Sequence, residues 1–330
     1  MNARTRFLQT LNFEKCDDRL PMVEWAAWWD LTIERWKTEG LPPDLSWETS
    51  LAHFDLDPLV CIGAGGGPAA DTPAALSRLV SDEASYDALR PYLFSDAALA
   101  GVLEHARRLK PGHDRGEFSI RIWLDGYFWF PRGLMGIEQH MLAFYDQPEL
   151  MHRMNRDLSD YNIRAIRAIA TVLTPEMVGF AEDMSYNHGP MLSRGFFNEF
   201  LLPYYQRTVP VIHGLGIKAL VDTDGDVTSM IPWLLGAGID GVYPLERQAG
   251  VDLAKLRALY PRLIMMGGFD KMTMSQGEAP MRAEFERLLP VMRTGGFIPS
   301  VDHQTPPEVS LQNFQTYVRL FREYCGRAAR

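Results

Sequence analysis

Between residues 118 and 303, six short apolar runs each end in an acidic residue, and segments of helical periodicity separate them. A short apolar run predicts a buried strand, and strands that alternate with helices predict a parallel sheet. The carboxyl ends of the strands of a parallel barrel open into one mouth, so side chains at these ends are expected to meet there. The six ends carry Asp125, Glu182 with Asp183, Asp222 with Asp224, Glu246, Asp270, and Asp302 with His303.

The stretch of residues 218–226 shows this pattern most clearly. Residues 218–221 predict a buried strand that runs directly into Asp222 and Asp224, and Gly225 then lets the chain turn towards the next helix. Side chains alternate along a strand, which puts Asp222 and Asp224 on the same side. One acid at such a position commonly caps a helix or forms a turn. Several acids at one rim repel one another, so a bound cation, a basic substrate or raised pKa values must accommodate them.

The composition is that of a globular protein with a large core, and it limits the partners. The chain has 330 residues, of which 46% are hydrophobic, and its formal net charge is -9. This acidic balance argues against nucleic acid or an anionic membrane as a partner. There is no apolar run of 18 residues, and the three cysteines lack metal-binding spacing, so we expect a cytoplasmic protein. We expect one domain, with residues 1–20 as an N-terminal helix and lead-in and residues 21–325 as the barrel.

Two aromatic clusters accompany the predicted strands. Trp25 and Trp29 lie where the first predicted strand, residues 22–27, ends, and five aromatic residues lie between residues 123 and 130, with Arg132 close behind. Large rings dominate buried area, so such clusters commonly form core. Their place at strand ends also fits a pocket for a flat apolar ligand that bears an acid group. The second cluster, which includes Trp129, fits equally well a hydrophobic loop beneath a lid or at a homodimer contact.

The loop of residues 182–190 gathers two acids, a tyrosine and a histidine after a predicted strand. These are Glu182, Asp183, Tyr186 and His188. A histidine beside carboxylates can act as a general base or as a metal ligand. A loop histidine that caps a helix is the simpler alternative.

Several motifs resemble the uroporphyrinogen decarboxylase superfamily, which also contains corrinoid-linked methyltransferases. The chain opens with Arg4-x-Arg6-Phe-Leu, continues with Leu11-Asn-Phe-Glu-Lys15 and Asp18-Arg-Leu-Pro21, and later carries Gly267-Gly-Phe-Asp270 and Thr305-Pro-Pro-Glu308. The resemblance spans nearly the whole chain. It implies an α/β fold, a TIM-type (β/α)8 barrel with an N-terminal helical extension, whose active site lies at the carboxyl ends of the strands.

The chain departs from both best-known branches of that superfamily. Where the decarboxylases carry an arginine-rich stretch for porphyrinogen carboxylates, this chain reads Glu24-Trp-Ala-Ala-Trp-Trp29, and the Phe-Ser-Asp motif is reduced to Phe54-Asp-Leu-Asp57. The zinc-binding His-x-Cys-Gly motif of the methyltransferases reads Asp222-Thr-Asp-Gly225, and their distant cysteine falls near Asp302-His303. Two thiolates are lost, which makes a soft thiolate site unexpected.

Carboxylate and imidazole ligands can still hold zinc or a harder divalent ion. We therefore expect Asp222, Asp224 and His303 to bind one divalent metal. In the alternative, the metal has been lost, and the same residues bind the substrate or exchange protons.

The resemblance implies an enzyme that moves a methyl or other one-carbon group from a small, aromatic or apolar methylated substrate, with a corrinoid held by a partner protein. The alternatives are a decarboxylase and, as a different class, a binding subunit that has lost catalysis. We expect catalytic roles for Asp222, Asp224 and His303, and proton transfer by Glu182, Tyr186 or His188. The expected substrate-binding residues are Trp25, Trp29, Asp125, Trp129, Arg132, Glu246 and Asp270.

Overall fold

A computed structural model of the chain describes residues 1–76 and 79–329. Its central element is a seven-stranded sheet in which all neighbouring strands are parallel, as the alternation of strands and helices predicted. In chain order the strands are β1 (Leu59–Gly63), β2 (Ser119–Asp125), β3 (Met177–Ala181), β4 (Ser185–Tyr186), β5 (Gly189–Pro190), β6 (Lys218–Asp222), β7 (Gly241–Tyr243), β8 (Ile264–Phe269) and β9 (Phe297–Val301). Strands β4 and β5 form a separate antiparallel hairpin.

Helices connect successive strands and cover the outer face of the sheet. The α-helices are α1 (Ala3–Leu11), α2 (Asp30–Thr38), α3 (Trp47–His53), α4 (Glu83–Leu89), α5 (Asp96–Asp114), α6 (Trp129–Met135), α7 (Ile137–Asp146), α8 (Pro148–Ala170), α9 (Arg194–Phe196), α10 (Leu202–Gly214), α11 (Ile231–Gly236), α12 (Leu253–Leu259), α13 (Glu278–Met292) and α14 (Leu311–Ala329). Ser310 caps α14, since its hydroxyl accepts a hydrogen bond from the Asn313 N–H at 3.2 Å. Among the described helices, none combines the length and hydropathy that a membrane span requires.

The sheet curls around an apolar interior. Alternate residues of six strands, which point to the same face, meet in one buried cluster: Leu59, Met177, Leu220, Tyr243, Ile264, Met266 and Ile298. Phe7 and Leu11 of α1 join this cluster. A flat sheet could not bring its first and last strands into one cluster, so the strands form a partial barrel, with the N-terminal helix packed into it.

The sequence analysis predicted a first strand at residues 22–27, which would complete an eight-stranded barrel, and the structure corrects this prediction. Residues 22–27 run between the two edge strands but form no ladder with either. The carbonyl of Met22 accepts a hydrogen bond from Asp57, just before β1, and the indole of Trp25 donates to Val301 of β9 at 2.9 Å. One backbone hydrogen bond and several side-chain hydrogen bonds, among them one from the Met22 N–H to Asp57 Oδ2 at 2.8 Å, thus hold this segment where a closed barrel would have a ladder of backbone pairs. Among the described residues, a partial barrel of seven strands is present.

Glu24, in the segment of residues 22–27, gives this fold a testable dependence on pH. Its side chain is fully buried, with one oxygen accepting from the Tyr317 hydroxyl at 2.9 Å and the other left without a partner among the described residues. Burial raises the pKa of Glu24 from 4.5 to about 8. The folded protein therefore keeps a proton here that the unfolded chain has released at neutral pH.

We expect the free energy of unfolding to fall as the pH rises from about 5 through 8, because a carboxyl with a raised folded-state pKa contributes fully only below its unfolded pKa. Glu24→Gln should remove part of this decline, so that its stability relative to the wild type improves by up to about 1.4 kcal/mol per pH unit. Urea denaturation at several pH values measures this difference. Glu14→Gln, at an exposed position, is the matched control. Parallel pH profiles for all three proteins would contradict the assignment.

Candidate functional site

The six predicted strand-end positions lie at one rim of the sheet, at the carboxyl ends of β2, β3, β6, β7, β8 and β9. The side chains at these positions fall into two groups. Asp125, Glu182, Asp270 and Asp302 accept hydrogen bonds from backbone N–H groups. Asp224, Glu246 and His303 come together instead, and Asp222 and Asp183 lie beside them.

Asp224, Glu246 and His303 form a candidate metal centre. One ligand atom from each residue lies within 4.8 Å of the other two, and His303 Nε2 is 3.5 Å from Asp224 Oδ2. Two carboxylates and an imidazole suit zinc or a harder divalent ion and leave coordination positions for water or substrate. Sequence analysis named Asp224 and His303 as ligands and placed Glu246 with the substrate. Asp222, its third expected ligand, lies outside this cluster.

The turn after β6 positions Asp224. Gly225 has a φ of +81°, and a Cβ atom there would overlap the backbone of Tyr186 in the β4–β5 hairpin. Only glycine combines this backbone conformation with this close approach. The turn is held further by a hydrogen bond from the Gly225 N–H to Glu246 Oε2 at 2.8 Å. The same turn therefore orients both carboxylates of the candidate metal centre.

Asp222 lies deeper than Asp224, at the end of β6. It lines a small cavity of about 130 Å³ together with Trp123, Trp129 and Asp183. Burial raises the pKa of Asp222 well above its ordinary range, the charge of Asp224 adds to the rise, and Arg121 opposes it. A carboxyl group in this setting holds its proton more tightly than a solvated one does.

Lys271 is a functional neighbour that sequence analysis missed. Its ammonium lies 3.8 Å from Glu246 Oε1 and 3.8 Å from Asp302 Oδ1. Asp302 is fully buried, and burial raises its pKa to about 6 in spite of this cation. The crowding of acids at the rim is thus relieved by a lysine, by hydrogen bonds and by raised pKa values. The only available signal was the position of Lys271 directly after a strand-end acid.

Glu182 is an anchor for the loop that follows β2. Its carboxylate accepts hydrogen bonds from the backbone N–H groups of Tyr127, Phe128 and Trp129 at 2.8, 2.7 and 3.2 Å, and from the Tyr205 hydroxyl. Burial raises the pKa of Glu182 to about 7. Since both oxygens are occupied and the side chain is fully buried, this geometry favours a structural role over the proton transfer expected from the sequence.

Tyr186 and His188 lie on the β4–β5 hairpin. Both side chains are exposed, and their rings pack edge to face at 5.8 Å. No hydrogen bond or ion pair joins either side chain to the candidate metal centre in the described part of the chain. A role for them in proton transfer stays a prediction.

The aromatic residues predicted to bind substrate separate in the structure. Trp129 and Asp125 line a cavity of about 300 Å³ whose other walls are largely apolar, and Trp129 also lines the small cavity beside Asp222. Arg132 places its guanidinium 5.2 Å from the centre of the Trp129 ring and donates to the Asp183 carbonyl. Trp129 therefore links an apolar pocket to the acidic mouth.

The remaining predicted binding residues lie in different surroundings. Trp25 is buried and packs edge to face on His303, with ring centres 6.1 Å apart. Trp29 is 42% exposed at the start of α2. Asp270 caps the short 3-10 helix Lys271–Gln276 and accepts a hydrogen bond from Gln248 at 2.6 Å. The structure thus brings Trp25 to the mouth and gives Asp270 the capping role that isolated strand-end acids often have.

Comparison with known proteins agrees with this architecture. The sequence profile of the uroporphyrinogen decarboxylase family matches residues 67–324. A solved methyltransferase from Methanosarcina mazei superposes with a TM-score of 0.66 at 16% identity, covering 98% of this chain and 99% of that chain. A putative vitamin-B12 independent methionine synthase from Listeria monocytogenes shares 14% identity over 69% of this chain and 68% of that chain, with a TM-score of 0.40. No curated protein matches the chain. At these identities the likeness to solved structures establishes the fold alone.

Proposed function

The chain belongs to the uroporphyrinogen decarboxylase family, and on that premise we propose that it is a metal-dependent enzyme that removes a methyl group from a small aromatic or apolar compound and passes it to a corrinoid carried by a partner protein. The observation that carries the proposal is the cluster of Asp224, Glu246 and His303 beside a pocket lined by Trp129. The family profile supports an enzyme as the general class, and a methyltransferase has the same fold.

Each part of the mouth has a task in this reaction. The apolar cavity beside Trp129 holds the body of the substrate, and Arg132 fixes the indole through its contact with the ring. Asp224, Glu246 and His303 would hold the divalent ion, which would act as a Lewis acid on the heteroatom that carries the methyl group. Gly225 keeps the two carboxylates oriented towards each other, so the site is preorganised.

The chemistry requires one proton for each methyl group transferred. The bond between the methyl carbon and the heteroatom breaks, the electron pair stays on the heteroatom, and that atom takes up a proton. Asp222 lines the small cavity together with Trp129, and this supports its carboxyl group as the donor of that proton. General acids in such positions typically contribute about 10²–10⁴-fold to a rate.

The test supplies the reaction with both of its substrates. Purified protein loaded with zinc is incubated with reduced free cobalamin and a panel of methoxybenzenes, N-methylanilines and thioanisoles. We expect a demethylated product in amounts equal to the methylated cobalamin, measured by mass spectrometry and by absorbance. Protein treated with a chelator and then returned to zinc is the control for metal dependence. Absence of methyl transfer across the panel, with zinc bound, would overturn the proposal.

Decarboxylation is the second candidate, and Lys271 favours it. This lysine places a cation at the mouth, where it could hold the carboxylate of a substrate. In that reaction a carbon–carbon bond breaks, carbon dioxide leaves, and the electron pair left on carbon takes up a proton. Release of labelled carbon dioxide from a panel of aromatic acids measures it directly. Release of labelled carbon dioxide, together with no methyl transfer in the first test, would favour decarboxylation over methyl transfer.

A further inference from the structure

A separate cavity lies at the free edge of β1, where the segment of residues 22–27 replaces the eighth strand. It has a volume of about 410 Å³, within the range of small-molecule sites. Its walls come from α3, α5, β1, β2 and the 22–27 segment, and they are largely apolar, with Trp25, Trp47, Leu59, Leu109 and Phe118 among them. Because no strand of the described residues pairs with this edge of β1, the cavity reaches from the edge of the sheet into the interior of the partial barrel.

Arg121 of β2 projects into this cavity from the interior of the barrel. The residue is only 8% exposed, and its guanidinium lies 4.8 to 5.8 Å from the ring centres of Trp25, Trp123 and Tyr243. The ring faces compensate part of the positive charge. Its Nε and Nη1 atoms have no hydrogen-bond partner among the described residues, although the Cys61 thiol and the Tyr243 hydroxyl lie close to the guanidinium.

A buried guanidinium with unused donors calls for an anionic acceptor. An unpaired buried donor destabilises the folded protein, and more so when the group is charged. A carboxylate matches the planar fork of arginine because its two oxygens can accept two parallel hydrogen bonds. Among the described residues, no carboxylate lines the cavity, and the charge of Asp222 acts on Arg121 without a contact ion pair. The chain therefore presents the cation and the apolar walls and leaves the acceptor to a ligand.

We propose that this space, the Arg121 cavity, is a second ligand site that takes a small organic carboxylate with an apolar body. The carboxylate would bind the free N–H groups of Arg121, and the body would pack against Trp47, Leu59 and Phe118. This site is distinct from the candidate metal centre, none of whose three residues lines it. Trp25 stands between the two, since it lines the cavity and packs on His303.

The binding test uses one probe in a charged and an uncharged form. Titration calorimetry with 3-phenylpropanoate should show saturable binding, and 3-phenylpropanamide, which has the same shape without the charge, should bind at least about tenfold more weakly. Arg121→Met should weaken the carboxylate at least about 30-fold, and Arg121→Lys by an intermediate factor because lysine lacks the fork. A methionine of similar volume removes a buried charge, which proteins commonly tolerate. Arg115→Met, at an exposed position, is the matched control.

Cys61 provides a second readout that needs no variant. This cysteine lines the cavity and is exposed, whereas Cys16 and Cys325 are buried. An occupant should therefore slow the alkylation of Cys61 by iodoacetamide, as followed by peptide mass spectrometry. Protection by 3-phenylpropanoate but not by the amide supports the proposal. The proposal would be overturned if 3-phenylpropanoate and its amide bound and protected Cys61 equally, or if millimolar 3-phenylpropanoate neither bound nor protected. Neither outcome would bear on the proposed methyl transfer.

Discussion

Glu182→Ala is expected to lower the free energy of unfolding by roughly 3–5 kcal/mol, the largest effect on stability that the structure indicates. The substitution leaves three backbone N–H groups in the largely buried loop after β2, and the Tyr205 hydroxyl, without the acceptor that they share. Urea denaturation followed by circular dichroism measures the change. Glu182→Gln should fall between the wild type and Glu182→Ala, because the amide keeps one acceptor oxygen but replaces the other with a donor.

Two glycines of the same region provide a matched pair for this prediction. A Cβ atom at Gly126 would overlap the carboxylate of Glu182, whereas one at Gly133, within α6, has nothing within 4 Å. Gly126→Ala should therefore destabilise strongly by displacing the anchor. Gly133→Ala should be neutral or stabilise by up to about 1 kcal/mol, since alanine favours a helix over glycine. Equal stabilities of the two variants would show that Glu182 is not the anchor described here.

The second large effect concerns activity. His303→Ala, Asp224→Asn and Glu246→Gln should each lower kcat/KM for the methylated substrate by more than about 100-fold, because even the outer partners of metal ligands commonly contribute 10- to 100-fold. Initial rates at saturating zinc measure this loss. Asp226→Asn is the control, since Asp226 belongs to the neighbouring turn and its side chain accepts a hydrogen bond from the Thr228 N–H. If Asp226→Asn and the three ligand variants had equal rates, the candidate metal centre would have no part in the reaction.

The fold was largely predictable because its signals are local. A short apolar run and its terminal acid are read from adjacent residues, and β3, residues 177–181, is such a run directly before Glu182. The same holds for α8, where apolar residues at helical spacing from Met151 to Ala165 form the buried face. The prediction of a first strand at residues 22–27 was wrong because the conformation of this segment depends on distant partners such as Asp57 and Val301. No local sequence pattern reveals these partners.

The location of the candidate site could be predicted from the sequence, but the residues that form it could be predicted only in part. The rim of acids follows from chain alternation, but the grouping of Glu246 with Asp224 and His303 depends on the turn at Gly225 and on a hydrogen bond across 21 positions of the chain. The role of Glu182 depends on N–H donors that lie 53 to 55 positions earlier in the chain. Strand alternation had grouped Asp222 with Asp224, but β6 ends at Asp222, and the side chains beyond it no longer alternate.

The central claim is that Asp224, Glu246 and His303 hold a divalent metal ion. Its most direct test is the zinc affinity and stoichiometry of metal-free protein, measured by titration calorimetry for the wild type and for Asp224→Asn, Glu246→Gln, His303→Ala and Asp222→Asn. We predict one zinc ion per chain in the wild type and in Asp222→Asn, and affinity weakened by about 100-fold or more in the other three proteins. Absence of zinc binding in the wild type, or equal affinity in all five proteins, would contradict the claim.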